Sequence, residues 1–117
     1  MATPDEFATD HVAAFNDAVV RRDFDGFVAR FGDDAIVRFE NVPGAGTLEF
    51  DGLVAIAEAY REQPPDDQID IAGRPGEEGA TIVIPFAWHR DGGTGLMGIE
   101  REGELITRMT VAFARLP

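Results

Sequence analysis

The chain has 117 residues, 44% of them hydrophobic, which suits one domain over residues 1–117 with a single core. Twenty-two acidic side chains against ten basic ones, all arginine, give a formal net charge of −12, a field that repels phosphate backbones and disfavours nucleic-acid binding. The chain has no cysteine and therefore no disulfide or thiolate chemistry; no apolar run is long enough to span a bilayer, and MATPDEF lacks the basic start and apolar block of a leader, so a cytoplasmic location is expected.

The stretch TPDE opens the first helix: Thr3 caps, Pro4 suits the first helical position and Glu6 returns a bond to the cap. Phe7, His11, Ala14, Phe15, Ala18 and Val19 then recur at three- and four-residue steps and draw one apolar stripe that ends near Arg22. A short second helix follows, capped by Asp23, carrying Phe24, Phe27, Val28 and Phe31, and closed by Gly32. The period then changes to two. Residues 35–40 read as a strand, 43–46 as a turn and 47–50 as a second strand. Asp51 is expected to cap a third helix with Leu53, Ile56, Ala57 and Tyr60 on one face, stopped by Pro64-Pro65. Strands near 67–73, 79–89, 94–101 and 105–114 complete the chain, with short turns at Pro75-Gly76, Asp91-Gly92-Gly93 and Glu102-Gly103 that suit antiparallel neighbours. Three helices followed by a meander predict an α+β domain with the helices on one face of a mostly antiparallel sheet.

This order, with FNDAVVRRDFDGFVARFGDDAIVRF at 15–39, FDGLVAIAEAY at 50–60 and EGELITRMTVAF at 102–113, resembles the nuclear transport factor 2-like superfamily and its SnoaL-like and ketosteroid-isomerase-like branches. The resemblance implies a cystatin-like cone: a curved sheet wrapped around a long helix, a central small-molecule pocket, and often a homodimer through the outer sheet face. It also implies where an isomerase would keep its tyrosine, its carboxylate base and its neutral acid. Those positions hold Phe15, Phe39 and the Leu96-Met97 pair. A phenyl ring neither takes a proton from carbon nor donates to an enolate oxygen, so ketosteroid isomerase chemistry is not expected. Tyr60 alone matches a pocket tyrosine of that family.

The remaining polar residues each carry two readings. Alternation sets Val37 and Phe39 against Arg38 and Glu40, so Glu40 is either a solvated, cross-strand partner or, if the strand bulges, a proton carrier next to the family's base position. His11 is either a core histidine or a group at the cavity mouth. In the last strand Thr107, Met109, Val111 and Phe113 share one face and Ile106, Arg108, Thr110 and Ala112 the other. The resemblance turns the second set inward, where Arg108 would need a carboxylate; the alternative leaves Arg108 in water. Ile84, Phe86 and Trp88 align on one face with His89 opposite, and two distant histidines without a spaced acidic motif do not make a metal site.

An enzyme built this way would act without a cofactor on a small apolar or acidic molecule, as an isomerase, cyclase or hydratase. Its pocket would be lined by Phe15, Phe39, Tyr60, Phe86, Trp88 and Met97, with His11 or Glu40 carrying the proton and Arg108 or Tyr60 stabilising negative charge. The competing readings are a non-catalytic binding domain and a dimerisation module whose nine phenylalanines fill the cavity.

Overall fold

The computed structural model describes residues 3–114. Helix α1 spans Pro4–Arg21, α2 Asp25–Val28 and α3 Leu53–Glu62. The strands are β1 Phe31–Val42, β2 Gly46–Asp51, β3 Ile69–Ile71, β4 Gly76–Glu78, β5 Thr81–Trp88, β6 Thr94–Glu102 and β7 Leu105–Phe113. They form one seven-stranded sheet in the order β2-β1-β7-β6-β5-β3, with β4 also on β5. Only β1 and β7 run parallel.

Local chemistry explains most boundaries. The Thr3 hydroxyl accepts the Glu6 amide at 3.1 Å, and the last turn of α1 closes on Arg22 in the left-handed region. The cap of α2 is Phe24 rather than Asp23, whose carboxylate accepts the Asp25 amide at 3.0 Å from one residue further back; the helix ends at Val28 rather than at Gly32, which already belongs to β1. Asp51 is not the cap of α3. That position is Gly52, whose φ of 90° few other residues tolerate and whose amide bonds Ala35 O at 2.8 Å. The first strand is longer than its alternation suggested; β4 begins at Gly76, inside the expected Pro75-Gly76 turn, and the turn falls instead at residues 79–80, where a strand was expected to start.

Two bulges set which side chains face the helices. On β1 the register slips by one between Phe39 and Val42, with Asn41 at φ 59°, so Phe39 and Val42 both turn toward the helices while Glu40 stays outside. On β7 the pairs Glu100↔Arg108 and Arg101↔Ile106 leave Thr107 as the extra residue. Ile106 therefore joins Met109 and Val111 in the core, which corrects the expectation that Ile106, Arg108, Thr110 and Ala112 act as one inward set. The inner face carries Val37, Ile82, Ile84, Phe86, Met97 and Ile99 beneath Phe7, Phe15, Phe24, Phe27 and Ile56 of the helical layer. Helix α1 lies over β3, β4 and β5, and α3 over β1 and β2.

Candidate functional site

Between those two helical contacts the layers do not close completely. A cavity of about 240 Å³ is left at one end of the sheet, lined by Phe39 and Val42 of β1, Leu48 and Phe50 of β2, Ala59, Tyr60 and Gln63 at the end of α3, Pro65, Trp88 at the end of β5 and Phe113 at the end of β7. Neighbouring strands end here in aromatic residues, and their rings form a continuous wall. Phe113 lies near-parallel to both Trp88 (6.2 Å, 11°) and Phe39 (6.4 Å, 14°), and Phe50 meets Phe39 edge-on at 6.2 Å. The wall depends on a glycine. In the row Phe113↔Gly95↔Phe86, a Cβ on Gly95 would come within 2.6 Å of Ala112 O and 2.7 Å of the Phe86 ring.

Tyr60 is the polar group set deepest in this wall, only 6% exposed. Its ring stacks on Phe24 at 5.2 Å and meets Phe27 at 5.5 Å, and its hydroxyl has no hydrogen-bond partner among the described residues. Burial pushes the phenol well above its ordinary range, so it stays protonated and serves as a donor. The Trp88 indole N–H is a second donor without a partner among the described residues. No carboxylate, imidazole or guanidinium lines the cavity among those residues. Just outside, a shallow groove shares Pro65 and Trp88 with it and carries Asp66, Asp67, Arg90 and Asp91.

The residues expected at the site divide sharply. Phe39, Tyr60 and Trp88 line the cavity; Phe15, Phe86 and Met97 do not, because they are buried in the core below it. Phe15 supports the wall from behind, 6.3 Å from Trp88. Nor do the three residues expected to carry chemistry reach the cavity. His11 is 1% exposed, stacked on Phe7 at 5.6 Å and 5.2 Å from Phe27, with neither ring nitrogen bonded. Burial, with the nearby Arg30 charge, lowers its pKa to about 3, so it is a neutral core residue. Glu40 lies on the outer face, where Arg38 Nε donates to it at 2.9 Å while Arg38 Nη1 faces Glu49 at 3.8 Å. Arg108 is on the same face, 3.6 Å from Glu100. His89 Nδ1 donates to the Asp70 carboxylate at 2.9 Å in solvent, and no group of three or more His, Asp or Glu side chains among the described residues is placed to hold a metal.

Sequence reasoning missed Val42, Leu48, Phe50, Ala59, Gln63, Pro65 and Phe113. Three of them had a signal: Leu48 and Phe50 alternate in β2, and Phe113 closes the apolar alternation of β7. Val42 had none, because its orientation depends on the bulge at Asn41.

This geometry belongs to a known fold. The chain has the NTF2-like, cystatin-like α+β fold, with three helices on a seven-stranded, mostly antiparallel sheet. Three solved structures resemble it over most of their length. A conjectured isomerase from Bacillus subtilis is 15% identical with a TM-score of 0.72, covering 97% of this chain and 90% of that one. An NTF-2 like protein of unknown function from Burkholderia xenovorans is 18% identical with a TM-score of 0.66, covering 99% and 91%. A protein of unknown function with a cystatin-like fold from Methylobium petroleophilum is 18% identical with a TM-score of 0.66, covering 94% and 77%. No family profile and no curated protein matches the sequence. No helix among the described residues is long and apolar enough to cross a membrane.

Proposed function

We propose that this chain is a non-catalytic, SnoaL-like binding domain that holds a small, uncharged, ring-containing molecule with one acceptor oxygen. The observation that carries this reading is the composition of the cavity: aromatic walls, an unpartnered phenol donor at Tyr60, and no proton carrier. Isomerisation or hydration needs a group within hydrogen-bond reach that changes protonation near neutral pH. His11, Glu40 and Arg108 all lie elsewhere, and the Tyr60 phenol does not ionise in that range. Drug-sized ligands fill roughly 300–1,000 Å³, so a cavity of about 240 Å³ suits something smaller. The entrance groove carries three carboxylates against one guanidinium, which disfavours an acidic ligand.

The test pairs two probes of equal shape. Calorimetry with 2-acetonaphthone is expected to give saturable binding, weakened about tenfold in Tyr60→Phe by loss of one hydrogen bond. The anionic 2-naphthoate is expected to bind more weakly than the ketone. Binding of the carboxylate alone would overturn the reading, as would conversion of a bound molecule to product.

A second proposal concerns self-association. The outer sheet face carries Val83, Pro85, Leu96, Gly98, Thr110 and Ala112 in two rows across β5, β6 and β7, bordered by the Arg38–Glu40 pair on β1 and by the Arg108–Glu100 pair in the next row, and Leu96 is 50% exposed. We propose a homodimer through this face. Sedimentation should give a dimer mass at micromolar concentration and a monomer for Leu96→Glu; a wild-type monomer would count against it.

A further inference from the structure

The cavity has one wall that belongs to neither a helix nor a strand. Residues 64–68 join α3 to β3 and carry Pro65 across the entrance, between the cavity and the outer groove. Both ends of this strap are fixed. The Gln63 amide bonds Ala59 O at 3.0 Å at the end of α3. Beyond the strap, the Asn16 side chain donates to Ile69 O at 2.9 Å and accepts from Ile69 N at 2.8 Å, a two-point clamp on the first residue of β3.

The middle is held differently. Pro64 and Pro65 have no amide hydrogen, so the strap cannot tie itself down through them. Its hydrogen bonds run to the corner after β5. His89 N donates to Gln68 O at 2.9 Å. Arg90 supplies most of the rest: its amide and Nε donate to the Asp67 carboxylate at 3.1 and 3.2 Å, and Nη2 donates to Asp66 O at 2.7 Å. The Asp67 carboxylate is only 12% exposed, whereas Asp66 is 95% exposed and its 3.5 Å contact with Arg90 is a minor one. The guanidinium therefore adds one side-chain bond and one carbonyl bond to the backbone bonds that this corner makes to the strap.

We propose that Arg90 is a positioning residue of the cavity: it clasps residues 64–68 as a movable wall, and release of its bonds to Asp67 and Asp66 opens the entrance beside Trp88. The proposal rests on the binding reading above. Its test uses no ligand, so the two can fail separately.

Trp88 is the single tryptophan of the chain and borders both the cavity and the groove, so its fluorescence reports the entrance alone. Arg90→Ala is expected to raise the acrylamide quenching constant at least twofold, with Arg90→Lys intermediate because an ammonium keeps the charge and loses the fork. Hydrogen exchange should accelerate at the amides of residues 89 and 90, which donate to Gln68 O and the Asp67 carboxylate, and stay unchanged at Ile84 and Met97. Unchanged quenching and exchange in Arg90→Ala would overturn the proposal, and so would an equal loss of protection across the sheet. Should Arg90→Ala fail to fold, Asp67→Ala is read by the same two measurements.

Discussion

Trp88 and Phe113 lie 6.2 Å apart with their planes 11° from parallel, although 25 residues separate them in sequence. They meet because β6, the strand between β5 and β7, has Gly95 at that level and sends no side chain between them. Gly95→Ala is therefore expected to destabilise the fold by about 1–3 kcal/mol, since the new methyl group meets a backbone oxygen that cannot step aside. Chemical denaturation checks this. A neutral result would mean that the wall has room the geometry does not show.

Tyr60→Phe should separate binding from stability. The hydroxyl has no partner among the described residues, so its removal is expected to change the unfolding free energy by less than about 1 kcal/mol while ligand affinity falls. A large loss of stability would show that the hydroxyl is bonded within the fold.

His11 gives a prediction in pH. Its pKa is about 3 in the folded chain against an ordinary value of 6.5, so between those values the unfolded chain binds the extra proton. Stability is fully present above about pH 6.5 and is lost as pH falls, by up to about 1.4 kcal/mol per unit. In His11→Leu, of similar volume, that term disappears. The difference between the two proteins, measured by denaturant unfolding at pH 7.5 and pH 5, should favour the variant more at pH 5. Parallel behaviour would place His11 in water.

The legibility of the sequence follows from the range of its interactions. Helix starts and stops depend on near neighbours: Thr3 with Glu6 and the two prolines after Gln63 declare themselves locally. Alternation likewise gives the strand faces of Phe39 and Trp88, both of which line the cavity. His11 looked like a site residue because a helical stripe marks what is buried, and burial is common to core and cavity. Phe15 and Met97 stand where the resemblance puts an isomerase's tyrosine and acid, and Phe86 alternates with Trp88, yet all three are buried in the core. Which buried residues border empty space depends on where α1 and α3 part and on two bulges, and these are set by register across the whole sheet.

The surface charges invite a simple control. Glu40→Gln and Arg108→Ala should each cost less than about 1 kcal/mol and leave ligand affinity unchanged, because both pairs sit in solvent on the face away from the cavity. A specific loss of binding, read by calorimetry, would return Glu40 or Arg108 to the site.

The most direct measurement is a titration of Trp88 fluorescence with 2-acetonaphthone. If the aromatic wall encloses a ligand site, quenching will saturate with one equivalent bound and weaken in Tyr60→Phe. Quenching that stays linear in ketone and matches that of free N-acetyltryptophanamide would show that nothing binds there.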